Sequence, residues 1–194
     1  MSVPKILTFT GASGSGKSTL VKFLLEETGY KLIISSTTRQ PRGSDLPGEY
    51  EFLAAAEFTA GAGPACDEKR SGDFLWIKEY AGNYYGTRKG VVDEALQWSY
   101  NPMMILVPEV LPNLMDYVGE DKVLPFYIRS PPEQLLRARL EKRGETSETI
   151  ERRMKESRNW GGQAERSDIP YVFITNNGTI DEMAEQVRKC LGTI

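Results

Sequence analysis

The sequence predicts an α/β protein: a parallel β-sheet core covered by helices on both faces and interrupted by an inserted subdomain. Three observations carry that prediction. Short apolar, β-rich runs alternate with segments whose apolar residues recur at helical spacing. A glycine-rich turn joins the first such run directly to the first helical segment, and one long stretch, residues 36–90, breaks the alternation with turns, aromatics and small residues.

Taken in order, KILTFT at 5–10 reads as a buried strand, followed by GASGSGK and a helix. The stripe Leu20, Val21, Phe23, Leu24 and Leu25 faces a core, and Gly29 marks the helix end. KLII at 31–34 is a second strand. After the insertion, VVDEALQWS at 91–99 is helical, MMILV at 103–107 and VLPFYI at 123–128 are strands, and PPEQLLRARLEKRG at 131–144 is a helix ending at glycine. YVFIT at 171–175 is the last strand before a C-terminal helix over 180–191. No internal repeat or low-complexity tract appears.

A chain of 194 residues suits one domain that buries its own core without staples. With 40% hydrophobic and 26% charged residues, the composition is that of a globular protein and excludes a disordered or collagen-like chain. The formal charge of −3 supplies no global positive field, so a nucleic-acid partner is not expected and any anion must be met by local charge. Histidine is absent, which removes the usual base of acyl-transfer triads and the commonest zinc ligand. Cys66 and Cys190 lie far apart in no metal or redox spacing, so free thiols in a reducing compartment are expected. The apolar runs are too short to span a membrane, and the N-terminus runs into the glycine turn without a cleavage site. A cytoplasmic protein with no membrane partner is the expectation, with the oligomeric state open.

Gly11, Ala12, Ser13, Gly14, Ser15, Gly16, Lys17 and Ser18 satisfy G-x-x-x-x-G-K-[ST] between a predicted strand and a predicted helix, the context this motif requires. Its physics is direct. Glycines let successive N–H groups turn inward around phosphate oxygens, and the helix N-terminus adds the positive end of its dipole. Residues 11–18 with Thr19 are therefore the candidate ATP-binding set. Lys17 would reach the β and γ phosphates, and Ser18 would hold Mg²⁺ through its hydroxyl.

At SSTTRQPR (35–42) and GNYYGT (82–87) the chain closely resembles the guanylate kinase family. The resemblance covers nearly the whole sequence, including Tyr50 in GEYEF and the arginine-bearing segment from Arg139 to Arg153. It implies a phosphate-loop sheet core (1–35, 91–136 and 168–194), an inserted nucleotide-monophosphate-binding subdomain (36–90) and a helical lid (137–167). It also implies that Ser35, Arg39, Arg42, Tyr50 and Tyr85 clamp the acceptor's phosphate, while Lys17, Arg143 and Arg153 bracket the transferred phosphoryl group. The residues agree on their own terms. Two arginines three apart with phenols nearby make a receptor for a phosphate dianion, although the same arginines could be solvated charges and the tyrosines turn packing. Most other lid charges read as helix-face pairs.

Two departures from the family pattern concern the acceptor's base. Aligned without gaps from GNYYGT, the position that usually carries a glutamate is Trp76, and the usual Asp-x-Asp reads Val107-Pro108-Glu109. Guanine presents N1–H and an amine as donors and needs buried acceptors, which Trp76 and Val107 do not supply; Glu79 or Glu49 are the substitutes if the local alignment shifts. The base pocket is thus assigned to Trp76, Thr87 and Val107, with Glu109 a weaker outer metal carboxylate after Pro108. The expected activity is ATP- and Mg²⁺-dependent phosphorylation of a (deoxy)nucleoside monophosphate, either (d)GMP or one with a different or modified base. The alternatives are a kinase acting on a hydroxyl of a modified base or sugar phosphate, and a non-catalytic binding module, against which the intact Gly16-Lys17-Ser18 argues.

Overall fold

The computed structural model describes residues 5–43, 45–59, 73–80, 82–142 and 144–192. Cys66 and Arg143 lie outside them. In chain order the elements are β1 (Ile6–Thr10), α1 (Lys17–Leu25), β2 (Tyr30–Leu32), β3 (Ser35–Thr37), β4 (Tyr50–Phe52), α2 (Ala55–Thr59), β5 (Phe74–Tyr80), β6 (Asn83–Arg88), α3 (Lys89–Ala95), β7 (Asn101–Ile105), α4 (Leu111–Val118), β8 (Val123–Ile128), α5 (Glu133–Lys142), α6 (Ser147–Glu165), β9 (Val172–Ile174) and α7 (Ile180–Gly192). Two sheets result. The first is parallel throughout, in the order β2-β7-β1-β8-β9, with Thr8 opposite Met104 on one side and Pro125 on the other. The second, in the order β4-β3-β6-β5, is mixed: β3 runs parallel to β4 and antiparallel to β6, which pairs antiparallel with β5.

β1 is buried at every position, as the central strand of a sheet covered on both faces must be. Leu7 and Phe9 point into one core layer with Leu20, Val21 and Leu24 of α1 and Val187 of α7, and Phe9 stacks on Phe126 with ring centroids 5.4 Å apart. Ile6 belongs to the opposite layer, with Val92 of α3 and Leu111, Leu114 and Met115 of α4. A third, small cluster of Leu136, Leu140, Ile150 and Met154 holds α5 against α6.

Several boundaries differ from the sequence expectation for identifiable reasons. The second strand begins and ends early, because Ile33 donates one last ladder bond to Met103 O (2.8 Å) before the chain leaves for the second sheet. The strand expected at 103–107 lies at 101–105; Pro108 has no N–H to continue it and opens a one-turn 3₁₀ helix. Helix α3 starts two residues before the expected position and stops at Ala95, and α5 starts after the Pro131-Pro132 pair. Helix α4 was not anticipated. Because the first sheet is parallel, the segments after β1, β7, β8 and β9 all emerge at one edge, where such folds bind ligands.

Candidate active site

The segment after β1 is shaped by its backbone. Gly11, Gly14 and Gly16 have φ of 141°, 83° and 100°, and a Cβ on Gly11 would stand 2.6 Å from the Ile128 carbonyl oxygen. Gly16 caps α1, so the loop ends on the N–H groups of a helix first turn. Lys17 Nζ donates back across the loop to the Gly11 and Ala12 carbonyl oxygens at 2.6 and 2.9 Å. Ser15 is buried with an unpartnered hydroxyl, and Ser18 and Thr19 stand exposed on the first turn of α1. Asn176, after β9, donates its amide to Ser15 O and ties the loop to the neighbouring strand end.

The two long helices reach the same loop. Arg153 of α6 donates from Nη1 to Ser13 Oγ (2.6 Å) and to Glu145 Oε1 (2.8 Å), and Arg139 Nη1 of α5 meets Gly14 O at 3.5 Å. Thr146 caps α6 by accepting from Thr149 N, and Gly144, with φ of 74°, makes the turn between the helices. A cleft of about 550 Å³ opens between Gly14, Gly16 and Thr19 on one side and Arg139, Asn176 and Ile180 on the other.

On the second sheet, three of the five candidate phosphate-clamp residues, Arg39, Tyr50 and Tyr85, form one chain of contacts, and Ser35 bonds Thr87 beside them. Ser35 Oγ lies 3.1 Å from Thr87 Oγ1. The Arg39 guanidinium sits 4.8 Å from the Tyr50 ring centroid, and Tyr50 packs edge-on against Tyr85 at 6.2 Å. Burial drives the Tyr50 phenol far above its usual range, aided by the nearby Glu49 carboxylate, so it stays a neutral hydroxyl donor. Arg42 is the exception: its side chain is exposed, and only its backbone N–H joins the group, donating to Asp45 Oδ2 at 2.7 Å.

Trp76 is 5% exposed and sits in the core layer beneath α4, with Val107 and Tyr85 half-buried against the same cluster and its indole N–H unpartnered. Neither alternative acceptor is a buried, unengaged carboxylate. Glu79 is exposed at the end of β5, and Glu49 accepts from Leu46 N at 3.0 Å while burial raises its pKa. Glu109 is exposed in the turn after β7.

The glycine cradle, the buried unpartnered Ser15 hydroxyl and the Lys17 ammonium fit a polyphosphate. Among the described residues no three His, Cys, Asp or Glu side chains gather to hold an ion unaided; a site that Mg²⁺ shares with phosphate oxygens and water, with Ser18 as protein ligand, needs no such group.

The guanylate kinase family model matches residues 3–193. The chain belongs to the guanylate kinase family. A guanylate kinase of Porphyromonas gingivalis is 32% identical over 192 residues, covering 96% of both chains. One from Synechocystis is 34% identical over 191 residues, covering 97% of this chain and 93% of its own. A crystal structure of guanylate kinase from Anaplasma phagocytophilum shares the fold, with a TM-score of 0.69 at 22% identity over 100% of this chain and 87% of that one. This family member is therefore an ATP-dependent nucleoside monophosphate kinase with Mg²⁺ as cofactor. No helix among the described residues is long and apolar enough to cross a membrane.

Sequence reasoning had not singled out four residues at these sites. Asn176 and Arg139 line the cleft; a signal for the first was the NNG turn ahead of α7, and for the second its place on the lid segment. Glu145 and Asp45, each paired with a candidate arginine, gave no signal beyond being acidic near basic residues.

Proposed function

We propose that this kinase transfers the γ-phosphoryl group of ATP to the phosphate of a nucleoside monophosphate. The supporting observation is the Arg153 bond to Ser13, which brings a lid guanidinium onto the phosphate loop where the transferring group would lie. In this reading the core is 1–35, 91–136 and 168–194, the acceptor subdomain 36–90 and the lid 137–167. The loop N–H groups bind and orient the donor phosphates. Lys17 and Arg153, with Arg143, neutralise charge on the moving group, and Ser35, Arg39, Arg42, Tyr50 and Tyr85 hold the acceptor phosphate. Mg²⁺, held by Ser18 and the nucleotide, supplies further charge neutralisation, with Glu109 outside its first coordination layer.

Guanine is the base suggested by the relatives, each named a guanylate kinase. A second reading rests on Trp76, whose buried, unpartnered N–H is a donor where guanine would need an acceptor. It favours a base that offers a carbonyl or ring nitrogen to the indole, or a modified base that fills the slot differently. A coupled ADP-release screen over ribo- and deoxynucleoside monophosphates, including hydroxymethylated pyrimidines, separates the two. Dominant turnover of GMP or dGMP supports the first, turnover of another monophosphate the second, and no turnover with any of them counts against the phosphotransfer proposal.

A further inference from the structure

Asp45 lies in the loop between β3 and β4, and its carboxylate engages Arg39 with both oxygens, at 2.6 Å to Nη2 and 2.9 Å to Nη1. The pair is well shielded, with side chains 7% and 15% exposed. Nη1 also donates to Gln40 O at 2.9 Å. A guanidinium has five N–H bonds in a fixed plane. Nη1 thus spends both of its own and Nη2 one, leaving the second Nη2–H and Nε–H. Those two lie side by side on one edge, the parallel pair that matches two oxygens of a phosphate. The Arg39 Cζ stands over the Tyr50 and Phe52 rings, 4.8 and 5.7 Å from their centroids. The Arg42 backbone N–H in turn fixes the Asp45 carboxylate.

We infer that Asp45 is a positioning residue for the acceptor phosphate: it occupies the outer edge of the Arg39 guanidinium and so presents the Nε/Nη2 edge to the incoming anion. The inference rests on the proposal that Arg39 holds the acceptor phosphate. It differs in sign from the simpler idea that Asp45 is a competitor sitting where phosphate should bind. A competitor's removal frees the arginine and tightens acceptor binding, whereas a positioner's removal lets the guanidinium turn and weakens it.

Calorimetry with GMP, and separately with dTMP, reads the clamp whether or not turnover follows. For whichever monophosphate the wild type binds, Asp45→Asn should weaken binding about tenfold, the worth of one charge-assisted contact, and leave ATP binding within about twofold. In an Arg39→Ala background the same change should have no further effect, because its influence passes through the arginine. Should Asp45→Asn not fold, Asp45→Glu keeps the charge on a longer arm and should weaken monophosphate binding to an intermediate degree. Unchanged or tighter binding in the folded Asp45 variant, or equal losses with and without Arg39, overturns the inference. A wild type that binds a monophosphate without phosphorylating it counts against the kinase proposal alone, whereas one that binds neither of these two nor any other monophosphate of the ADP-release screen overturns both.

Discussion

Lys17 Nζ donates to the Gly11 and Ala12 carbonyl oxygens of the glycine loop, and the residue belongs to none of the apolar core clusters. Lys17→Ala should keep its unfolding midpoint and lose about a hundredfold to a thousandfold in kcat, as expected when a charge aimed at a transferring group is removed. Steady-state kinetics beside a thermal melt tests both halves. Asp45 carries the opposite charge and is paired with Arg39. The hydrogen bonds from Arg39 hold its carboxyl below the usual carboxylate range. Its folded pKa therefore lies under its unfolded value, and the unfolded chain binds the extra proton between the two. The stabilisation is present above the unfolded pKa of about 3.9 and is lost as pH falls through the folded one. Urea titrations from pH 6 downward to about pH 3 should show a shallower acid loss in Asp45→Asn than in the wild type. On the proposal that Trp76 and Val107 line the base slot, Trp76→Glu with Val107→Asp supplies two acceptors and should raise the ratio of kcat/KM for GMP over other monophosphates at least about tenfold. An unchanged ratio would mean that other residues read the base.

Among the described elements, the helix pair α5 and α6 shares the smallest apolar cluster, four side chains. Leu140 is fully buried in it, and Leu140→Ala should cost about 2–5 kcal/mol of local packing. Hydrogen exchange should then quicken across 133–165 while β1 and β8 stay protected, and kcat should fall because Arg153 is no longer held at Ser13. Helix α5 was legible from sequence, since Pro131-Pro132 and Gly144 punctuate it, whereas α6 was expected only as part of the helical lid that the family resemblance implies. Helix α4 was not, because LPNLMDYV is short and has proline at its second position, which reads as a loop until the Leu114, Met115 and Val118 contacts are seen. The second sheet escaped for a similar reason. SST and YEF are three-residue strands whose hydrogen bonds come from partners far along the chain. The glycine loop announced itself by spacing, but Asp45 and Glu145 sit in turns without period, and a partner across a turn leaves no pattern in a sequence.

At the scale of the molecule, Trp76 belongs by chain to the second sheet and by packing to the core layer of the first. It thereby carries a spectroscopic label at the seam between them. Of the other two indoles, Trp98 is tied to Glu94 and lies under Lys31 at 4.0 Å, and Trp160 is half-buried on α6. Trp76 is thus the one in a dry apolar setting, and its emission should lie to the blue of theirs. If an acceptor base enters beside it, that blue component should shift or quench on titration with the monophosphate, and Trp76→Phe should abolish the signal while the emission of Trp98 and Trp160 remains. The indole at this seam would then report, in the unlabelled protein and in real time, the arrival of the acceptor.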